Sequence, residues 1–341
     1  MNPGLMVLAP GLHTTVQDLG RIGYQDIGVP VSGALDAISL RLANALVGNP
    51  HGTAVLEILV SGPTLEVAAE TVRVALVGPG AGLVIAGEVI AAGQSITLPR
   101  GQILQVAIGQ HSACCYLAAE GGIAVPLTLG SASTYVRAGI GGLEGRLLRR
   151  DDVVPLTLAR APERVEMRLP GPLDAARNQP IRVVLGPQQE CFAEESIATL
   201  LGAEFRVSQS ADRMGMRLDG PLLRHRGGWD IVSDAIATGA IQVPGSGQPI
   251  LLLADHQTTG GYPKIATVIS ADLPLVGRRR PGDTLRFVAV AVEEGEELCR
   301  DEERRLAELA ATLEPVSNGG AIDLTLLYDD NLISGVVTGL E

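Results

Sequence analysis

Hydrophobic and polar positions change their period several times along the chain. From Ala54 to Leu158, short apolar runs (Ala54–Val60, Val72–Val77, Leu83–Ile85, Ile96–Leu98, Ile103–Ile108 and Cys115–Ala119) are separated by glycine and proline turns. Many short strands at near-regular spacing predict a barrel or sandwich rather than an alternating βαβ sheet. Before them, Leu35, Ile38, Leu42, Ala45 and Leu46 recur at helical spacing. That spacing predicts a helix near 33–47, capped by Ser32 and ended by Gly48. The apolar runs restart with R-V-V-L-G-P at 182–187, a weak echo of R-V-A-L-V-G-P at 73–79. A short helix over Glu194–Leu201 closes at Gly202, and strand signals resume at Phe205–Val207. Ile250–Ala254 is continuously apolar and bounded by Pro249 and Asp255, as in a strand buried on both faces. From Glu293 to Leu313 the period is helical again. Leu306, Leu309, Ala310 and Leu313 share a face, and Glu296/Arg300 and Asp301/Arg305 are spaced i,i+4, the pattern of a helix that packs on its own domain.

These periods predict a mainly β protein with a few helices. They divide it into an N-terminal β domain at 1–165, a proline- and charge-rich linker at 166–180, a C-terminal β domain at 181–291 and a helical extension with a docking tail at 292–341, with barrel or sandwich left open for the two β domains. A length of 341 residues suffices for two cores, and 42 Gly and 21 Pro fit a turn-rich chain. The formal charge of −12 argues against nucleic acid, since no basic field is present to displace phosphate counterions. Apolar runs fall short of the roughly 20 residues that span a bilayer, and the N-terminus lacks a basic leader, so the chain reads as cytoplasmic and not membrane-bound. Cys114, Cys115, Cys191 and Cys299 have no metal or disulfide spacing, so no metal is evident and buried thiols are expected.

Candidate chemistry concentrates in two stretches. In I-L-L-L-A-D-H-Q-T-T-G-G-Y-P-K, the strand ends in a polar loop: Asp255, Gln257, Thr258 and Thr259, two glycines, Tyr262 and then Lys264. Lys264 is the only lysine among 26 lysines and arginines. An ammonium is a compact charge whose proton affinity responds to burial, and arginine does not replace it at a reacting group. The second stretch, G-L-H-T-T-V-Q-D-L-G-R, packs Gln17, Asp18 and Arg21 too densely for an ordinary hairpin; Asp18 and Arg21 form either an ion pair or part of a pocket. Arg213 before a glycine turn and Gln242 in G-A-I-Q-V-P add further polar candidates, whereas G-S-A-S-T-Y at 130–135 reads as a solvated loop. Phosphate-loop, dinucleotide, G-x-S-x-G and H-E-x-x-H motifs are absent.

T-T-V-Q-D-L-G-R-I-G-Y-Q at 14–25, G-V-P-V-S-G-A-L-D at 28–36, R-L-A-N-A-L-V-G-N at 41–49, S-D-A at 233–235 with G-A-I-Q-V-P at 239–244, and D-H-Q-T-T-G-G-Y-P-K-I-A at 255–266 together resemble the allophanate hydrolase subunit 2 family. The same family is also called biotin-dependent carboxyltransferase, or the C-type subunit of 5-oxoprolinase. The resemblance implies two linked cyclophilin-like β-barrel domains. It also implies a subunit of an ATP-dependent 5-oxoprolinase complex that opens the lactam of 5-oxoproline to glutamate. Two alternatives are a carboxyltransferase component of a biotin-dependent urea or amide carboxylase, with biotin on a separate carrier protein, and a non-catalytic regulator that binds a sister kinase-inhibitor subunit. ATP belongs to the assembled complex, and the partners are sister subunits of the allophanate hydrolase subunit 1 type and a small amide substrate, with room for a homo-oligomer. On this resemblance Lys264, Asp18 and Gln17 are the catalytic candidates; Arg21, Gln257, Thr258, Thr259, Tyr262, Asp255, Gln242 and Arg213 are the substrate-binding ones. Two departures from the family pattern stand out: Asp234 where Glu is expected, and Arg278 where Gln is common.

Overall fold

The computed structural model describes residues 3–109, 112–173 and 178–316. The first half is a pair of antiparallel sheets. One runs in the order Val153–Pro155, Gly4–Ala9, Thr64–Val67, Ile103–Ala107, Gly82–Ile85, Glu88–Ala91; the other runs His13–Gln17, Val55–Leu59, Cys114–Ala119, Thr71–Val77, Gln94–Pro99, Met167–Arg168, Glu314–Pro315. Side chains alternate across a strand, and this period of two explains why all six residues of Cys114–Ala119 are buried. Cys115, Leu117 and Ala119 enter the core between the sheets, while Cys114, Tyr116 and Ala118 enter a second core under the helices. Both thiols are inert packing groups here, because burial pushes them well above the ordinary thiol range.

Helix α1 (Ala37–Leu46) covers that second core with Leu40, Leu42, Ala43 and Leu46, all inaccessible to solvent. It begins later than the apolar spacing predicts, and its cap is Asp36 rather than Ser32. Asp36 accepts from the Ser39 amide at 3.0 Å, while Ser32 and Gly33 hold left-handed φ values of 56° and 81° that turn the chain before the helix starts.

In the second half, eight strands run in the order Thr284–Leu285, Phe205–Ala211, Gly215–Asp219, Ile250–Leu252, Ala240–Gln242, Lys264–Val268, Ile181–Leu185, Phe287–Ala289. The two edge strands are consecutive in sequence. Residues 284–285 pair antiparallel with Phe205 and Arg206, and 287–289 pair parallel with 181–183, so one segment nearly closes the sheet into a barrel. Phe205 and Phe287 meet across that seam with ring centroids 6.0 Å apart. Helix α2 (Glu194–Gly202) lies where the apolar run predicts it. The short helix α3 is Leu273–Gly277.

Three further expectations change. The stretch read as a linker begins inside the first domain: Met167 and Arg168 extend its sheet, and Glu166 receives Arg73 at 3.0 Å. Helix α4 (Val292–Ala311) does not stay on its own domain. Gly295 lies against Ile269 of the second barrel, whereas Leu306 joins the core beneath α1 and Glu303 pairs with Arg41 at 2.6 Å. Along α4, Arg300 pairs with Glu296 as spaced, but Asp301 pairs with Arg304 and Glu302 with Arg305. The apolar C-terminal segment read as a docking tail lies outside the described residues.

The two halves meet through buried charge. Arg213, 3% exposed, donates to Asp255 at 2.8 and 3.1 Å, to the Gly33 carbonyl at 2.7 Å and to Glu57. Glu57 also accepts from the Leu35 amide at 2.9 Å and from the Tyr116 hydroxyl at 2.7 Å. That hydroxyl accepts from the Asp36 amide at 2.7 Å, and Asp36 in turn holds Arg278 at 2.6 Å. A guanidinium offers five donors in one plane, which suits it to two carboxylates and a carbonyl at once. Arg213 and Asp255, expected as pocket walls, are thus committed to the domain junction, and Arg278 finds its acid at the start of α1. Gly277 completes the contact, since a Cβ there would lie 2.3 Å from the Leu35 carbonyl oxygen.

Candidate functional site

Lys264 opens a strand whose neighbours decide where it points. Ile265 and Ala266 both enter the barrel core, because the register shifts between Ile241 and Gln242 and leaves one extra residue on the Lys264 strand. A bulge of this kind resets the alternation. Lys264 is therefore opposite Gln242, with both side chains on the outer face of the sheet. A two-stranded flap, Asp234–Ala235 paired with Thr259–Gly260, covers that face. Under it the Lys264 side chain is only 2% exposed, and its Nζ lies 2.8 Å from Asp234 Oδ2. Gln188 closes the group, donating to the same oxygen at 3.1 Å and accepting from the Lys264 amide at 3.1 Å. The hydrogen bond from Lys264 holds the Asp234 carboxyl below the usual carboxylate range. Gly260 lets the flap lie close on this face: a Cβ there would lie 2.8 Å from Ile236 Cδ1 and 2.9 Å from Gln242 Nε2, so both side-chain tips would have to shift.

Gln242, the register partner of Lys264, lines a cleft of about 420 Å³ together with Ile250, Leu252, Gln257, Tyr262 and Arg217, whereas Lys264 itself lies behind that lining. Gln257 donates to Gln242 at 3.3 Å, and Gln242 donates to the Tyr262 carbonyl at 3.3 Å. The Trp229 ring stands 6.2 Å from that of Tyr262. A cleft of this size with an apolar floor and a few convergent amides fits a small planar molecule. Thr259 belongs to the flap hairpin, and Thr258 supplies a carbonyl to the Ile236 amide at 3.0 Å.

His256, which sequence reasoning passed over inside D-H-Q-T-T, positions Gln257. Its Nδ1 lies 2.6 Å from the Gln257 carbonyl, which can only accept, so Nδ1 carries the proton and Nε2 accepts from Thr238 Oγ1 at 3.1 Å. Burial lowers the pKa of His256, as it lowers that of His13. The unfolded chain titrates these rings at the ordinary value of 6.5. It therefore binds more protons than the folded chain once the pH drops below that value. Their contribution is complete above pH 6.5 and is lost as the pH falls through the lower folded values. Thermal melting between about pH 7 and about pH 5 is expected to show falling stability, and His256→Asn, which keeps the donor to Gln257, is expected to flatten the slope. An unaltered slope in that variant would remove His256 as the titrating group.

Gln17, Asp18 and Arg21 form a separate group in the first domain. Asp18 accepts from the Gly20 amide at 2.8 Å, Ser131 Oγ at 2.6 Å, the Ala132 amide at 2.6 Å and Ser133 Oγ at 2.5 Å. Gln17 donates to the Thr134 carbonyl at 3.1 Å, and Arg21 donates to the Ser133 carbonyl. All three therefore grip the segment 131–134, whose Ser131, Ser133 and Thr134 are fully buried rather than solvated as the sequence predicts. Asp18 and Arg21 make no direct ion pair, and among the described residues no hydrogen bond joins either of them, or Gln17, to Lys264. Burial lowers the Arg21 pKa, against the raising effect of Asp18 and Asp255.

Sequence reasoning also missed Gln188, and it noticed Asp234 only as a departure. Neither carries a local signal, because each is brought to Lys264 from a different strand connection. No group of described residues has a metal-binding arrangement, and no helix among them is long and apolar enough to cross a membrane.

Comparison with known proteins bears on the same residues. Residues 27–289 match the family described as "Carboxyltransferase domain, subdomain A and B". The chain is 36% identical to the C-type subunit of 5-oxoprolinase from Escherichia coli (strain K12), over 90% of this chain and 97% of that one. It is 33% identical to urea amidolyase of Saccharomyces cerevisiae, over 90% of this chain and 18% of that much longer protein. The crystal structure of the K. lactis urea amidolyase superposes with a TM-score of 0.84 at 32% identity, covering 91% of this chain and 20% of that one. A family match spanning both barrels, and relatives aligned along nearly the whole chain, lead to one conclusion: this protein belongs to the carboxyltransferase domain family, the group that also contains the C-type subunit of 5-oxoprolinase.

Proposed function

We propose that this chain is a cytoplasmic subunit of an ATP-dependent 5-oxoprolinase complex and that its second-domain cleft holds the lactam. The carrying observation is the chemistry of one sheet face. Gln242 and Gln257 offer amide donors and acceptors to a small planar amide, and the ammonium of Lys264 lies next to Gln242 beneath the flap. In lactam opening, water adds its oxygen to the carbonyl carbon, the C–N bond breaks and the ring nitrogen takes a proton. A fixed cation beside the carbonyl oxygen stabilises the negative charge that develops there. Sister subunits of the allophanate hydrolase subunit 1 type supply the ATP chemistry in this reading, consistent with the absence of a phosphate-loop motif from the sequence. The near end-to-end match with the C-type 5-oxoprolinase subunit supports it.

The second reading is a carboxyltransferase component, favoured by the structural likeness to urea amidolyase. In that case biotin arrives on a separate carrier, because the only lysine of this chain is 2% exposed and closed off by Asp234. Co-purification with the sister subunits separates the readings. ATP hydrolysis that depends on 5-oxoproline is the expected result; turnover only with urea and a biotinylated carrier would establish the second. Lack of activity towards every cyclic or linear amide, together with tight binding to a kinase-inhibitor subunit, would make the chain a regulator.

A further inference from the structure

The cleft of the second barrel is completed by the first domain. The strand-like bridge between Tyr135 and Ile140 folds residues 136–139 into a turn, with the Gly139 amide donating to the Val136 carbonyl at 3.2 Å. At its tip, exposed Arg137 lays its guanidinium on the sulfur of Met214, a residue of the cleft wall. A thioether is a weak acceptor and neutralises no charge. Arg217 lines the same cleft from the strand Gly215–Asp219. Among the described residues neither arginine has a carboxylate partner, in a chain whose junction arginines Arg213 and Arg278 are both spent on acids. Asp212 at the same lip is held by the amides of Met214 and Gly215 at 2.8 and 3.2 Å, so its one negative charge stands fixed against the two positive guanidinium groups.

We propose that Arg137 and Arg217 form a carboxylate clamp that makes the cleft specific for an amide bearing an acid group, as opposed to an uncharged amide. The proposal rests on the reading of this cleft as the lactam site and adds the substrate feature that the site selects. Guanidinium forks match a carboxylate in charge and geometry, and the amides of Gln242 and Gln257 are left to read the ring. It also explains why Asp18, Gln17 and Arg21 are built so densely: they anchor segment 131–134, from which the Arg137 turn extends. They are positioning residues for the turn.

Trp229, the only tryptophan, stands beside Tyr262 at the cleft edge and reports occupancy by its fluorescence. Titration of the purified chain with 5-oxoproline and with 2-pyrrolidinone, its analogue without the carboxylate, gives the ratio that matters. The acid is expected to bind about tenfold or more tighter than the neutral lactam, the order of a charge-assisted pair. Arg137→Gln and Arg217→Gln are each expected to shrink that ratio, and the double variant to bring it near one, with 2-pyrrolidinone affinity unchanged. Both side chains are exposed, so melting curves of the variants should overlay that of the parent. N-acetylglycine and N-methylacetamide, an open-chain acid and its neutral counterpart, serve as a second pair. If only the open-chain acid binds and its binding depends on the arginines, the clamp stands and the lactam reading falls. If 5-oxoproline binds with an unaltered ratio in the double variant, the clamp falls and the lactam reading stands. Failure of every acid to bind overturns the clamp.

Discussion

Arg213→Met is expected to lower the unfolding free energy by about 3–5 kcal/mol, the cost of breaking a buried ion pair from one side. Arg213, Glu57 and Asp255 are respectively 3%, 0% and 5% exposed, so the substitution strands two carboxylates away from water. The Gly33 carbonyl loses its donor as well. Because Glu57 comes from the first domain and Arg213 and Asp255 from the second, the loss falls on the junction rather than on either core. Chemical denaturation followed by circular dichroism reads the effect. Adding Glu57→Gln to the same chain should return part of it, since one stranded charge is removed while an acceptor for the Leu35 amide is kept. A change below about 1 kcal/mol in the single variant would show that the junction does not depend on this charge.

Lys264→Ala should leave the fold in place and reduce turnover of the assembled complex by about 100- to 1000-fold, the usual effect of deleting one group that stabilises a developing anion. The fold survives because Asp234, the partner left behind, has a side chain 50% exposed and is solvated without the ammonium. Lys264→Arg should recover little of the activity. The space beneath the flap is closed by Asp234 and Gln188, and a planar fork does not occupy the place of a compact ammonium. If Lys264 acts on the transition state, the loss appears in kcat; if it only holds the substrate, it appears in KM. Turnover within about twofold of the parent in Lys264→Ala would remove the ammonium from the chemistry.

The position of Lys264 also shows how far sequence reading reaches. Its uniqueness and the polar loop before it were visible in the chain, and so was the strand from which that loop departs. What was not visible is the bulge at Ile265 and Ala266 that turns the side chain outward. Register within a sheet depends on the neighbouring strand, and no local pattern encodes it. Likewise Arg213 and Asp255 read as site residues because one precedes a glycine turn and the other opens the polar loop that leads to Lys264. Their purpose is the junction, which becomes apparent only when Glu57 arrives from a strand more than 150 residues away.

Local chemistry by itself determined the elements whose causes lie within a few residues. These are the short apolar strands and the glycine turns between them, the helices over α1 and α2, the amphipathic period of α4, and the two polar stretches around Asp18 and Lys264. Tertiary structure alone decided how they combine. It set the closure of the second barrel through residues 284–289, the return of α4 to the first domain, the grip of Asp18 on 131–134, and the meeting of Arg137 with the cleft of the other half. The physical reason is range: propensity, capping and periodicity act between near neighbours in the chain, whereas register, charge pairing and burial act between groups that become neighbours only after the chain has folded.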